Sequence, residues 1–217
     1  CPAFQLNDPP PQADLRMFRA MDSDGIGTES AVAEQIAAAV AGGARILSLS
    51  FGTQTIDNQG PVILRAALAA AFAAAPDLLV VAAAGNYGDA RPCYPAAFTQ
   101  EFPNVVAVAG LTAAGAPAPW SSRGAWVTCS TIGEGVVSTY VKGTEDLSVQ
   151  DPPDVFCDDA WAAWTGTSFA APQIAGAVAR ICAQQPALTP KQAFDQLIAG
   201  GTPIPGYGRA LTVLPGT

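Results

Sequence analysis

Ser168 is the residue of this sequence best mounted for chemistry. It lies in the run Thr165-Gly166-Thr167-Ser168-Phe169-Ala170-Ala171-Pro172-Gln173-Ile174-Ala175-Gly176, where a glycine turn leads into an alanine-rich helix. A hydroxyl at a helix N-terminus faces free N–H groups and the positive end of the helix dipole, which favour developing negative charge. Pro172, read as part of the first turn, gives up only an N–H that has no intrahelical partner. The small residues Ala170, Ala171, Ala175 and Gly176 let the helix pack closely. This is a mount for a nucleophile; a plain N-cap is the competing reading. Asn86, after Gly85 at the end of the apolar run 80–84, is the second candidate. Its amide can donate to an oxyanion or simply close a turn. The usual activating partner is absent, since the histidine count is 0. No Ser-His-Asp triad, and few zinc sites, can be assembled from these residues alone.

Composition narrows the remaining classes. With 217 residues the chain is long enough to bury a sizeable core as one domain, 1–217. Lys+Arg is 10 against Asp+Glu 18, a net charge of −8, which argues against a nucleic-acid partner. The apolar stretches are interrupted by Gly, Pro or charge, so no membrane span is expected. The five cysteines, Cys1, Cys93, Cys129, Cys157 and Cys182, show no metal-ligand spacing and suggest a disulfide-bearing, secreted or extracytoplasmic protein. Their odd number leaves one over, for which Cys1 is the natural choice, and Cys129–Cys157 is the pair suggested by proximity in sequence. The proline-rich stretch 1–12 reads as an extended loop, and the lack of an initiator Met suggests a processed piece.

The elements that must position these residues follow from periodicity. Asp14 to Met21 predicts a buried strand, followed by a turn at 22–27. The stripe Val32, Ile36, Ala39 and Val40 predicts a helix over 30–42, ended by Gly42-Gly43. Arg45 to Ser50 reads as a strand, 62–75 as a helix with Leu64, Leu68, Ala71 and Phe72 on one face, and 78–83 as the next strand. Further strands are expected at 105–110 and 125–130, and the last helices at 168–184 and 190–199. Alternating strands and helices imply right-handed crossovers and an α/β fold with a mostly parallel central sheet buried on both faces. Ligands of such sheets bind beyond the carboxyl ends of the strands, which here carry Gly25-Ile26-Gly27, Ser50-Phe51-Gly52 and Gly85-Asn86.

These blocks together resemble the subtilisin-like serine proteases. Gly166 to Gly176 matches that family's GTSxAxPxxAG motif throughout. Val80 to Asn86 is similar to its strand ending in the oxyanion asparagine, and Ile46 to Gly52 to its INMSLG-type strand. Gly25-Ile26-Gly27 is similar to its substrate-pairing segment, and Tyr94-Pro95-Ala96 with 102–110 to its YPA and VIAVG pattern. The resemblance implies a three-layer subtilisin-like fold and a serine endopeptidase acting on peptide or protein substrates. It implies Ser168 as nucleophile, with the Asn86 side chain and the Ser168 N–H as oxyanion donors. Ser50, Phe51, Gly52, Ala83, Ala84, Gly85 and Thr167, with Gly25 to Gly27, would contact substrate. No cofactor is implied for the chemistry, although structural calcium occurs in the family, with Asp154, Asp158 and Asp159 as candidates beside the plain reading of a solvated loop. Asp22, Asp24 and Glu29 either favour basic substrate side chains or form a solvated turn. Trp126, Trp161 and Trp164 are expected in the core or the pocket wall.

The departure from the pattern is the missing Asp and His, which the family places before its serine. Segment 5–15 is similar to the loop beyond the family's histidine helix. The favoured expectation is a protease cleaved into two associated chains, with Asp and His on an N-terminal fragment and Cys1 available as a tether. The alternative is an incomplete subtilase-like module that binds extended peptides by strand pairing. A sedolisin-like relative is disfavoured by Asn86. A nucleotide-binding domain is disfavoured by the absence of a third fingerprint glycine and of a phosphate-binding loop.

Overall fold

Helix α1 (Glu29–Ala41) begins where the Thr28 hydroxyl accepts the Ala31 N–H at 3.2 Å. It turns Val32, Ile36 and Ala39 into the core and ends at Gly42. Helix α2 (Val62–Ala74) follows Pro61, which has no side chain able to cap it. Its first turn is capped from α1 instead: Glu29 Oε2 accepts the N–H groups of Ile63 (2.9 Å) and Leu64 (3.3 Å). A carboxylate at that end also suits the helix dipole. The two helices lie side by side on one face of a sheet. The computed structural model describes residues 13–22, 24–144 and 152–213.

The sheet has six strands: β1 (Ile46–Leu49), β2 (Leu79–Ala83), β3 (Val105–Leu111), β4 (Cys129–Ile132), and the pair β9 (Thr202–Ile204) and β10 (Gly208–Ala210). Their order is β1-β2-β3-β4-β10-β9. All neighbours are parallel except the β9/β10 hairpin. Strand β2 is buried along its whole length, as a central parallel strand must be. Its side chains alternate between two core layers. Val80 and Ala82 face the layer of α1 and α2 with Leu64, Leu68 and Phe98. Leu79, Val81 and Ala83 face helices α3 (Thr167–Gln184) and α4 (Pro190–Ala199), meeting Ile174, Val178 and Phe194. The result is the expected three-layer α/β fold with a mostly parallel central sheet. Between β4 and α3, outside that sheet, stand two small antiparallel pairs. One joins β5 (Val136–Thr139) to β8 (Trp161–Trp164), the other β6 (Gly143–Thr144) to β7 (Val155–Phe156).

Several expectations are corrected. Residues 14–21 form no strand, and Leu15 and Met17 are 83% and 87% exposed. This segment pairs with nothing in the sheet, and Arg16 instead bonds Asp14 and the Gly42 carbonyl across the surface. The strand expected over 125–130 is β4, starting only at Cys129, where pairing to β3 and β10 begins. Trp126 is buried as expected, but Trp164 is 42% exposed and belongs to neither core layer. Cys93, Cys129 and Cys182 are free, buried thiols, so Cys129 does not pair with Cys157. Burial pushes the Cys129 thiol well up and the Cys93 thiol up to about 12, with Asp89 adding to the second shift. Of the four cysteines among the described residues, Cys157 is the disulfide-bonded one. The loop expected at 1–12 lies outside the described residues.

Candidate active site

The nucleophile candidate owes its position to a proline. Gly166 precedes α3 at φ 157°, and a Cβ there would stand 3.1 Å from Asn86 Nδ2. Ser168 is therefore the second residue of the helix and not its cap, which removes the plain N-cap reading. Pro172 sits inside the helix, not in its first turn as the sequence suggested. Lacking an N–H, it cannot bond the Ser168 carbonyl one turn back. The Ser50 hydroxyl takes that place, donating to the Ser168 oxygen at 2.9 Å. In return the Ser168 hydroxyl donates to the Ser50 carbonyl at 3.2 Å. The end of β1 and the start of α3 are thus stitched by two reciprocal bonds. In this arrangement the Ser168 hydroxyl rests on a backbone carbonyl, which cannot remove its proton.

Asn86 is fixed just as closely. Its Oδ1 accepts from the Thr167 N–H (2.9 Å) and the Thr167 hydroxyl (3.0 Å). Both bonds need the carbonyl end of the amide, so the NH2 end points the other way, as a donor. Thr167 is fully buried, and its hydroxyl also accepts the Gly85 N–H at 3.0 Å. Gly85 turns the chain at φ 97°; a Cβ there would meet Cys93 Sγ at 3.0 Å and Ser122 Oγ at 3.2 Å. Only glycine passes between them without displacing a neighbour.

Ser168 and Asn86 open on one cavity of about 190 Å³, lined also by Phe51, Gly52, Ala83, Gly85, Tyr87 and Thr167. Its size suits a single side chain. Of the substrate-contact candidates, Phe51, Gly52, Ala83, Gly85 and Thr167 come together here. Ser50 acts through its bonds to Ser168, and Ala84 is wholly buried behind the wall. Gly25, Ile26 and Gly27 are not among the lining residues. They form an exposed turn in which Asp22 engages both backbone groups of Ile26, each at 2.9 Å. Asp22 and Glu29 are thus occupied as hydrogen-bond acceptors within the fold, which weakens their reading as a cationic-substrate site. Sequence reasoning missed Tyr87; its place next to Asn86 at a strand end was the available signal. Desolvation, helped by Cys93 and Asp89, raises its phenol. Among the described residues no group of three or more His, Cys, Asp or Glu is arranged to hold a metal ion. Asp158 faces Lys142 at 3.2 Å on the surface. No helix of the described residues is long and apolar enough to cross a membrane.

A parallel sheet between helix layers, with a serine on the first turn of a buried helix and an asparagine amide at the adjoining strand end, is the subtilisin-like fold. Solved structures agree on the fold. A prenylagaramide maturation protease aligns with a TM-score of 0.71 at 21% identity, covering 88% of this chain and 67% of that one. A cold-adapted subtilisin-like serine proteinase aligns at 0.70 and 20%, covering 91% and 66%. The Subtilase family matches residues 10–200, and the chain belongs to that family. Thermitase from Thermoactinomyces vulgaris is 33% identical over 174 residues, 80% of this chain and 53% of its own length. Subtilisin DY from Bacillus licheniformis is 28% identical over 204 residues, 93% and 66%. The chain thus spans between half and two thirds of these relatives.

Proposed function

We propose that this chain is the nucleophile-bearing part of a serine endopeptidase that cleaves peptide bonds through an acyl-enzyme on Ser168. The observation that carries the reading is the Asn86 amide, held through its oxygen by Thr167 and opening on the same cavity as Ser168. Ser168 Oγ attacks the scissile carbonyl carbon, and the carbonyl oxygen becomes an oxyanion. Asn86 Nδ2 and the Ser168 N–H donate to it, the latter being one of the first-turn amides that a helix leaves without an internal acceptor. The amine leaves with a proton, and water then hydrolyses the acyl-enzyme. The walls formed by Phe51 and Gly52 on one side and Ala83 and Gly85 on the other hold one substrate side chain.

The general base comes from residues outside this sequence, because the histidine count is 0. We assign it, with its aspartate, to an N-terminal segment of the same protease held as a separate, associated chain. Strand β1 is one of the two edges of the sheet among the described residues, and being paired in parallel with β2 it suits a further parallel strand from that segment. Once bound, the base replaces the Ser50 carbonyl as acceptor of the Ser168 proton. A second reading, a peptide-binding module without catalysis, is favoured by that same resting bond from Ser168 to Ser50. Fluorophosphonate labelling separates the two. The native protein is expected to be labelled at Ser168 and Ser168→Ala is not, while non-reducing mass spectrometry finds a second, histidine-bearing chain. Peptide binding without labelling would establish the module instead.

A further inference from the structure

The two walls of the cavity beside Ser168 come from different strand ends. Phe51 and Gly52 follow β1, while Ala83, Gly85 and Tyr87 lie at and beyond the end of β2. The β1/β2 register ends with Leu49 opposite Ala82. Beyond that pair the two chains part to leave the cavity, and they are joined again farther out. Gln54, two residues past Gly52, donates from Nε2 to Asp89 Oδ1 at 2.8 Å, and Asp89 stands two residues past Tyr87. Both are half-buried, and neither lines the cavity. The same carboxylate oxygen accepts the Arg91 N–H at 3.1 Å. Arg91 in turn reaches back to the first segment, donating from Nη2 to the Thr55 carbonyl at 2.8 Å and from Nε to Asn58 Oδ1 at 3.4 Å. Thr53 and Tyr94 exchange backbone bonds of 2.9 Å and 2.8 Å, and the Tyr94 hydroxyl donates to the Asn58 carbonyl at 2.9 Å.

Of these bonds, Gln54–Asp89 joins the two segments through side chains that each stand two residues from a wall. A hydrogen bond to a carboxylate is stronger than one between neutral groups, and partial burial limits the water that competes for it. A side chain entering the cavity presses the walls apart, and that load falls on the bonds that link them. We propose that Gln54–Asp89 is a clasp that sets the width of the cavity and with it the largest substrate side chain admitted. Gln54 and Asp89 are then positioning residues, acting through Gly52 and Tyr87. The lining residues carry no formal charge, so the class admitted is an uncharged side chain of about leucine size, while an indole meets walls that do not yield. This rests on the reading of Ser168 as an acylating nucleophile and of the cavity as the pocket for one substrate side chain.

Two peptide esters that differ only in the residue before the scissile bond, leucine or tryptophan, test it in the intact enzyme with its Asp- and His-bearing segment. The native enzyme is expected to favour the leucine ester about tenfold in kcat/KM. Gln54→Ala opens the clasp and lowers that preference to about threefold or less, the change being carried by KM for the tryptophan ester and not by kcat. Gln54→Glu sets two carboxylates against each other and lowers it at least as far, an effect that added salt weakens. Gln54→Lys, which offers Asp89 a cationic donor, keeps the preference. Should Gln54→Ala fail to fold, the comparison of Gln54→Glu with Gln54→Lys decides. Equal use of both esters by the native enzyme, or a preference that Gln54→Ala and Gln54→Glu leave intact, overturns the inference while the peptidase reading stands. So does an equal loss in Gln54→Lys and Gln54→Glu, which would make the shape of the glutamine and not its bond the cause. Absence of ester hydrolysis together with absence of fluorophosphonate labelling refutes the peptidase reading, and this inference with it.

Discussion

Replacing Thr167 with valine removes one hydroxyl and leaves the shape of a fully buried side chain nearly unchanged. That hydroxyl makes two bonds, accepting the Gly85 N–H and donating to Asn86 Oδ1, each at 3.0 Å. The Gly85 N–H then faces a methyl group in the interior. An orphaned buried donor costs about 1–3 kcal/mol, so a stability loss near ~2 kcal/mol is expected in urea unfolding. Asn86 retains the Thr167 N–H, so its amide stays broadly oriented but less tightly held. Loss of one neutral hydrogen bond of about 1–1.5 kcal/mol predicts roughly a tenfold fall in kcat with KM little changed. Outright removal of an oxyanion donor costs a subtilisin about 10²–10³ in kcat, and Asn86→Ala belongs in that range. The assay is steady-state hydrolysis of a peptide ester by the intact enzyme, beside equilibrium unfolding. Thr167→Ser, which keeps the hydroxyl, is expected to restore kcat. The reasoning fails if the valine variant is destabilised but turns over normally, or if serine is as harmful as valine, which would make the methyl and not the hydroxyl the important group.

Two further outcomes follow from contacts away from Ser168. Glu29→Ala strips the N-terminus of α2 of the carboxylate that caps it and is expected to cost ~1 kcal/mol in urea unfolding, while Glu29→Gln, which keeps an acceptor, loses less. The Cys93 thiol, at about 12 in the fold against 9.0 when unperturbed, binds its proton more tightly folded than unfolded. The stability it confers is therefore complete below pH ~9 and declines between ~9 and ~12, by up to about 1.4 kcal/mol per pH unit. Unfolding at pH 8 and pH 10.5 is expected to show a smaller alkaline loss for Cys93→Ala than for the native chain; identical losses would remove Cys93 from the account.

Local signals made much of this fold readable. The sequence places helix α4 at its observed bounds, 190–199, and the structure adds the reason those bounds are sharp, a capping box of Thr189 and Gln192 with Pro190 in the first turn. Strand β2 was evident from its unbroken apolar run, and Ser168 and Asn86 from the motifs around them. What stayed hidden depends on partners distant in sequence. The segment 14–21 carries apolar residues suited to a strand, yet no strand lies beside it. The β5/β8 pairing joins Val136 to Trp164 across an irregular connection, and short strands of that kind carry little periodicity of their own. Pro172 looked like a first-turn residue because the helix start could not be fixed from sequence. The bond between Ser50 and Ser168 joins residues 118 positions apart, beyond any local rule.

That bond turns the alignment of two strands into a mechanical tolerance for the site. Leu49 sits opposite Ala82 in the β1/β2 register, so Ser50 and Asn86 stand at the same end of adjacent parallel strands. A slip of one residue would carry Ser50 along its strand by about 3.3 Å. That is as long as the 2.9 Å and 3.2 Å bonds that moor Ser168, so neither would survive it. A chain misaligned by a single step could keep most of its secondary structure and still lose its nucleophile, so the sheet acts as the ruler against which the site is measured.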